Sequence, residues 1–174
     1  MIITVIRGLP GSGKSVYAHK LAEQTGAIVI EPDALVTVDG EYRYDPSRWG
    51  KARYLARQIM RLIATTQEAD IIYADVQPTR GEVADMLRDI GQYAPGIRYR
   101  VVDMPPITME ESRKRNRHNV RIEDLERMIA RWAPTAGSSA RHPPRPPRLS
   151  PRRSSFPSGA PSSRVPLMLQ NLEH

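Results

Sequence analysis

The fold is decided by the stretch Gly8-Leu9-Pro10-Gly11-Ser12-Gly13-Lys14-Ser15. It has the spacing Gly-x-x-x-x-Gly-Lys-Ser, and it follows Ile2–Arg7, a short β-branched run that predicts a buried strand. The pattern Lys14–Thr25 after it predicts a helix, which Gly26 ends. A glycine-rich loop that joins a strand to a helix is the context in which this spacing forms a phosphate-binding loop, the Walker A motif.

Each residue type in this loop has a chemical reason to be there. Glycine accepts backbone conformations with positive φ, which turn successive N–H groups toward a phosphate, and the helix N-terminus adds a favourable dipole. Lys14 supplies positive charge for the β- and γ-phosphates, and Ser15 supplies a hydroxyl for Mg²⁺. The whole stretch Gly8–Ser15 therefore predicts a site for ATP with Mg²⁺. A glycine-rich turn that binds nothing is the alternative.

Strand and helix patterns alternate along the chain after the loop. Short apolar runs predict strands at Ala27–Glu31, Ile71–Asp75 and Ile97–Asp103, and helical patterns occur at Ser47–Thr66, Thr79–Ile90, from Thr108 onward and at Ile122–Trp132. This alternation predicts an α/β fold, a P-loop NTPase three-layer sandwich with a mostly parallel sheet. In the longest helix Ser47 is expected to be the N-cap, and the expected inner face contains Trp49, Tyr54, Leu55, Ile59, Leu62 and Ile63.

Two carboxylates follow predicted strands and are candidates for catalysis. Asp33 comes just after the second strand, near the edge at which open α/β sheets bind ligands, and it can accept the proton of an acceptor hydroxyl. Asp75 ends the third strand, where a carboxylate can bind Mg²⁺ through water or orient an acceptor group. A turn or capping aspartate is the structural alternative for Asp33.

A basic run lies late in the chain on a short predicted helix, Arg113-Lys114-Arg115-Asn116-Arg117-His118. Arginines in this position can fold over a triphosphate and stabilise the charge of a transferring phosphoryl group. A solvated basic face is the alternative, because that is the commoner role of a charge run.

Composition separates the chain into two parts. The formal net charge is +7, but six arginines and one acid from Arg141 onward account for +5 of it, so Met1–Ala140 is only mildly basic at +2. Residues 134–174 hold nine prolines in 41 residues, mixed with Ser, Gly and Arg, and they are predicted to be disordered. The expected organisation is a P-loop kinase-like domain at residues 1–133 and a disordered tail at residues 134–174.

The chain contains no cysteine, which excludes a disulfide framework and a zinc–thiolate site. No apolar run reaches the roughly 18–20 residues that a membrane helix requires. The N-terminus, Met1–Arg7, is too short and too β-branched for a signal peptide. These features lead us to expect a cytoplasmic protein without a membrane partner.

Four stretches form a further pattern. They are the loop at residues 7–15, Asp33 with Val38-Asp39-Gly40-Glu41-Tyr42-Arg43-Tyr44-Asp45, the strand that ends at Asp75, and Arg115-Asn116-Arg117-His118-Asn119-Val120 with Leu125-Glu126-Arg127-Met128. Together they resemble the P-loop polynucleotide 5′-hydroxyl kinase-like family, which includes the kinase-like domain of NEDD4-binding protein 2 and small bacterial and phage ATP-binding relatives. The resemblance covers about residues 1–133.

The resemblance implies an ATP-dependent kinase that acts on the 5′-hydroxyl of a polynucleotide. Asp33 matches the general base of the family, and Arg115 best matches the lid arginine that contacts the transferring phosphate, with Arg117 and Arg113 next. The sequence departs from the family where the acceptor is bound. Ala34 replaces a second acid, Asp75-Val76-Gln77 replaces Asp-Thr-Asn or Asn-Thr, and His118-Asn119-Val120 replaces His-Gly-Val.

Three functions stay open at this point. The first is phosphoryl transfer from ATP to a hydroxyl, with nucleic acid 5′ ends as partners. The second is a small-molecule kinase for a nucleoside, sugar or antibiotic. The third is an ATP-binding module with little catalysis, in which the Arg-Pro segments of the tail bind a partner.

Overall fold

A computed structural model describes residues 1–37, 45–76, 79–115 and 120–132 of the chain. Four strands alternate with helices along these residues. The strands are β1 (Ile2–Arg7), β2 (Ile28–Ile30), β3 (Ile71–Asp75) and β4 (Arg98–Asp103). The helices are α1 (Lys14–Thr25), α2 (Pro46–Thr66), α3 (Arg80–Gly91), α4 (Met109–Lys114) and α5 (Ile122–Arg131), and a short 3-10 helix spans Pro32–Val36.

The four strands form one parallel sheet in the order β2-β3-β1-β4. The register aligns Arg7 at the end of β1 with Asp75 on one side and with Asp103 on the other. The carboxyl ends of β1, β3 and β4 therefore lie level at one edge of the sheet. The segments that leave this edge include the glycine-rich loop and the 3-10 helix, so the fold brings most of the candidate site residues to the same place.

Helices cover both faces of the sheet, as the sequence predicts. One core cluster lies between the sheet and helices α2 and α3, with Val5, Tyr73, Met60 and Met86 among its buried members. A second cluster packs α1 against the other face of the sheet through Ala18 and Leu21, together with Ile6, Ile72 and Val102. The predicted α/β three-layer sandwich with a parallel sheet is thereby confirmed.

The predicted inner face of α2 is wrong for Tyr54, Leu55 and Leu62, while Ile59 and Ile63 pack against the core as predicted. The side chains that are buried follow a strict four-residue spacing, Ala52, Ala56, Met60 and Ala64. Tyr54, Leu55 and Leu62 are exposed by 66%, 48% and 69%, while Trp49 is half-buried and Ile59 and Ile63 pack only at the margin of the core. Three of the four buried residues are alanines, and the closest backbone neighbours of α2 are the 3-10 helix and α3.

Several helix ends differ from the prediction. The N-cap of α2 is Asp45, whose carboxylate accepts a hydrogen bond from the backbone N–H of Ser47, so Ser47 itself does not cap the helix. Helix α3 includes Gly91 and is not stopped before it. Thr108 caps α4 through a reciprocal capping box with Glu111.

Helix α4 ends at Lys114, so it contains the first two residues of the basic run, Arg113 and Lys114. Four parts of the sequence discussed above lie outside the described residues: Arg117 with His118, the stretch 38–44, Gln77, and the tail at residues 134–174. Among the described helices, none has the length and the apolar character needed to cross a membrane.

Candidate functional site

The glycine-rich loop connects β1 to α1 with the backbone geometry that a phosphate cradle requires. Gly11 and Gly13 have φ values of 80° and 87°, in the left-handed region that disfavours other residues. The N–H of Ser12 donates to the carbonyl of Leu9 at 3.1 Å and closes the turn. Gly13 is the N-cap of α1, and it provides no capping side chain.

This loop fits a polyphosphate. No side chain caps the first turn of α1, which contains no acid, so its N–H groups and helix dipole face the loop. The buried Oγ of Ser12 has no hydrogen-bond partner among the described residues. Ser15 is exposed at the start of the helix, where its hydroxyl is accessible to a metal ion that accompanies the phosphates.

Gly11 also lies against the segment that follows α4. A Cβ atom added at Gly11 would lie 3.0 Å from Cβ of Arg115 and 3.4 Å from the carbonyl oxygen of Ser112. The absence of a side chain at Gly11 therefore serves two needs, the left-handed backbone and the close approach of α4 to the loop.

Substitution of Gly11 by Ala is expected to lower the free energy of unfolding by about 1–2 kcal/mol, because a Cβ in the left-handed region costs about that much. It should also weaken ATP binding. Gly50→Ala is the matched control, because Gly50 lies inside α2 and an added Cβ meets no atom within 4 Å. That control should stabilise the protein by about 0.5–1 kcal/mol. Equal effects of the two changes in thermal unfolding and ATP titration would contradict this account of Gly11.

Lys14 stands at the centre of the site. Its ammonium group donates a hydrogen bond to the carbonyl of Leu9 at 3.0 Å, which folds the side chain back along the loop. Burial lowers the pKa of Lys14 below its ordinary value, and the negative charges of Asp75, Asp33 and Glu31, in that order, oppose the shift. Three acids are therefore close enough to Lys14 to act on its charge.

Asp33 lies in the 3-10 helix just beyond β2, where the sequence places it. The helix begins with Pro32 and is closed by Thr37, whose hydroxyl donates to the backbone carbonyl of Asp33 at 2.8 Å. This local bond uses the backbone of Asp33 and not its carboxylate. The half-buried carboxylate makes no hydrogen bond within the described residues, and it interacts electrostatically with both Lys14 and Asp75.

Asp75 is buried at the end of β3 and is held by three groups. The Nε atom of Arg53 lies 2.7 Å from one carboxylate oxygen, and the hydroxyl of Tyr73 donates to the same oxygen at 3.0 Å. The N–H of Val76 donates to the other oxygen at 2.6 Å. Burial raises the pKa of Asp75, while the nearby Arg53 opposes that shift. Asp75 is therefore held in place by these groups, and it would contact a Mg²⁺ ion through a water molecule.

Helix α4 is hydrogen-bonded to the phosphate loop. Ser112 is fully buried, and its hydroxyl donates to the carbonyl of Pro10 at 2.8 Å. Arg115 is the C-cap of α4 and is more than half exposed, with a loose ion pair to Glu111 at 3.8 Å. The structure thus places Arg115 beside the loop at Gly11.

Some residues that shape the site carry little or no signal in the sequence. Ser112 carries no local signal, because its partner Pro10 is distant in the sequence. Arg7 is fully buried directly before the loop, 2.6 Å from Asp103, and its guanidinium lies 4.4 Å from the centre of the Trp132 ring. A charged residue at the end of an otherwise apolar strand was the one available sign of this buried pair.

Within the described residues, no cluster of three or more His, Cys, Asp or Glu side chains could hold a metal ion by itself. A metal ion at this site would depend on a serine hydroxyl, water and phosphate oxygens, which is typical of Mg²⁺ bound beside a nucleotide.

The parallel sheet, the glycine-rich loop between β1 and α1, and the acids at the carboxyl edge of the sheet define a P-loop kinase-like domain. The chain belongs to the AAA domain family, which matches residues 3–137.

Individual relatives agree with this assignment. NEDD4-binding protein 2 of Homo sapiens is 24% identical over 138 residues, which are 76% of this chain and 8% of that protein. The chain thus spans 8% of the length of this curated relative, and the resemblance that the motifs predict is confirmed.

Two solved structures share the fold. A gluconokinase from Sinorhizobium meliloti 1021 superposes with a TM-score of 0.53 and 18% identity over 79% of this chain and 78% of the other. A chain of the Pnkp1/Rnl/Hen1 RNA repair complex superposes with a TM-score of 0.56 and 16% identity over 75% of this chain and 43% of the other. At these identities the likeness shows the fold alone.

Proposed function

We propose that the protein is an ATP-dependent kinase that transfers the γ-phosphoryl group of ATP to a hydroxyl, and that the acceptor is the 5′-OH end of a polynucleotide. The observation that carries the proposal is the meeting of Lys14, Asp33 and Asp75 at one edge of the sheet, beside a loop shaped for phosphates. Phosphoryl transfer needs a site for the donor and a base for the acceptor hydroxyl. The loop would provide the first, and the carboxylate of Asp33, which has no hydrogen-bond partner among the described residues, would provide the second.

The donor half consists of the stretch Gly8–Ser15. Its backbone N–H groups and the first turn of α1 would bind the phosphates, and Lys14 would pair with the β- and γ-phosphates. Ser15 would bind Mg²⁺ directly and Asp75 through water. Bound Mg²⁺ supplies positive charge that offsets the charge of the phosphate oxygens.

The acceptor half consists of Asp33 and the segment after α4. The acceptor oxygen attacks the γ-phosphorus in line, and the bond from that phosphorus to the β,γ-bridging oxygen breaks, which releases ADP. The hydroxyl proton passes to the carboxylate of Asp33. Arg115, beside the loop at Gly11, stabilises the charge on the transferring group, and the family resemblance offers Arg117 as the alternative for this role.

The polynucleotide acceptor is supported by the family resemblance at Asp33 and at the basic segment. A small-molecule acceptor is the second candidate, because Ala34 and Val76 differ from the family at the acceptor side. Incubation with γ-labelled ATP and a panel of acceptors distinguishes the two. Label on 5′-OH oligonucleotides supports the first, and label only on nucleosides, sugars or antibiotics supports the second. Tight ATP binding without label on any acceptor would favour a binding module.

We propose that residues 1–133 carry the whole ATP site and that the tail contributes nothing to it. Deletion of residues 134–174 is therefore expected to leave the Kd for ATP unchanged within about twofold, since all the residues assigned to the donor precede the tail. Calorimetric titration of both proteins checks this expectation. A large loss of affinity after deletion would contradict the proposed boundary.

A further inference from the structure

Arg53 connects helix α2 to the carboxyl end of β3 through several contacts at once. Its Nε atom lies 2.7 Å from Asp75, and the guanidinium also donates to the carbonyl of Val76. The ring of Trp49 covers the guanidinium, with 3.6 Å between the arginine carbon and the ring centre. The Arg53 side chain is 20% exposed and that of Asp75 is 3% exposed, so most of this pair is out of water.

The pair lies next to the group that would bind phosphate. Asp75 is level with Arg7, the residue directly before the loop, and helix α1, which begins at Lys14, packs against β3. The charge of Asp75 is also the first of those that oppose the lowered pKa of Lys14. A buried carboxylate requires a cation or hydrogen-bond donors close to it. Without Arg53, Lys14 would be one of the cations left close to Asp75, beside Arg57 on the next turn of α2, and any pairing of Lys14 with Asp75 would draw it away from a phosphate.

We propose that Arg53 is a positioning residue for ATP binding: by holding Asp75, it keeps the Lys14 ammonium available for the phosphates. The inference rests on the proposed ATP site. It adds a residue of helix α2, outside the glycine-rich loop, that affects how the loop binds ATP. Arg53 itself touches neither nucleotide nor acceptor in this role. It acts through the carboxylate that it binds.

Helix α2 offers a matched control two turns farther along. Arg61 lies 2.5 Å from Asp89, and its guanidinium lies 5.0 Å from the ring centre of Tyr93. The Arg61 and Asp89 side chains are 25% and 22% exposed, so this is a similar arginine–carboxylate–aromatic group. Its carboxylate belongs to α3 and not to the sheet edge beside the loop.

The test compares ATP affinities of the full chain by calorimetry. Titrations are made in EDTA, so that a role of Asp75 near Mg²⁺ does not enter, and are repeated with Mg²⁺. Arg53→Met should weaken ATP binding on the order of tenfold, because a bare carboxylate then competes for Lys14. Arg53→Lys keeps the charge but loses the fork of donors, so its ATP affinity should lie between those of Arg53→Met and the unsubstituted protein. Arg61→Met should leave the Kd for ATP unchanged.

The decisive variant is the double substitution. Arg53→Met with Asp75→Asn removes the carboxylate charge as well, so its ATP affinity should return to within about twofold of Asp75→Asn alone. A purely structural role of Arg53 predicts no such rescue, and a double variant as weak as Arg53→Met would overturn the inference. An unchanged ATP affinity in Arg53→Met would also overturn the inference about Arg53, but it would leave the proposed ATP site intact. Absence of ATP binding in the unsubstituted protein, with and without Mg²⁺, would overturn the proposed function and this inference together.

Discussion

Lys14→Met is expected to reduce phosphoryl transfer by about 10²–10³-fold, because it removes the positive charge that faces the β- and γ-phosphates. The side chain is already folded over the loop, with its ammonium 3.0 Å from the carbonyl of Leu9, so little reorganisation is needed when phosphates bind. Methionine keeps the length and apolar stem of the side chain. The loss should therefore appear in ATP affinity and in the rate of transfer, and not in the free energy of unfolding.

The control for this prediction lies on the same helix. Lys20 is exposed on α1, and Lys20→Met removes the same charge away from the loop. Titration with ATP, single-turnover transfer and thermal unfolding should show Lys20→Met within about twofold of the unsubstituted protein. Equal losses in both variants would mean that the net charge of the helix, and not the position of Lys14, determines phosphate binding.

Asp33→Asn is expected to lower the rate of phosphoryl transfer by about 10²–10⁴-fold and to leave ATP affinity nearly unchanged. The amide has the shape of the carboxylate but cannot take the proton of the acceptor hydroxyl. The 3-10 helix should be preserved, because Thr37 binds the backbone carbonyl of Asp33 and not its side chain. The measurement is single-turnover transfer at saturating ATP, with ATP binding measured separately.

Glu31 provides the comparison for Asp33. It precedes the 3-10 helix, acts on the charge of Lys14 as Asp33 does, and pairs with His19 at 3.2 Å. Glu31→Gln thus removes a neighbouring acid without removing the proposed base, and it should change the transfer rate by no more than a few fold. Transfer that survives Asp33→Asn unchanged would contradict the role of Asp33 as the base.

The sheet and the donor loop were predictable because their signals are local. Ile2–Arg7 is apolar and β-branched, and the glycines after it permit the left-handed backbone seen at Gly11 and Gly13. The carboxyl ends of parallel strands meet at one edge, so Asp33 and Asp75, which follow or end predicted strands, could be expected near the loop. At the carboxyl edge of the sheet, the local sequence signals and the parallel arrangement of the strands therefore predict the same site.

Other features were not predictable because they depend on contacts between distant segments. The apolar pattern of α2 favours Tyr54, Leu55 and Leu62 as its inner face, but the side chains that are buried in the fold are Ala52, Ala56, Met60 and Ala64. Ser112 and Arg53 look like ordinary helix residues in the sequence. Only the fold brings Ser112 to Pro10 and Arg53 to Asp75.

The central claim is that ATP bound on the Gly8–Ser15 loop donates its γ-phosphoryl group to a hydroxyl. The most direct measurement incubates the unsubstituted protein with γ-labelled ATP, Mg²⁺ and one oligonucleotide in two forms, with a 5′-hydroxyl and with a 5′-phosphate. We predict label on the 5′-hydroxyl form, removable by phosphatase, and none on the 5′-phosphate form. ATP binding without label on this oligonucleotide or on any small hydroxyl acceptor would contradict the claim.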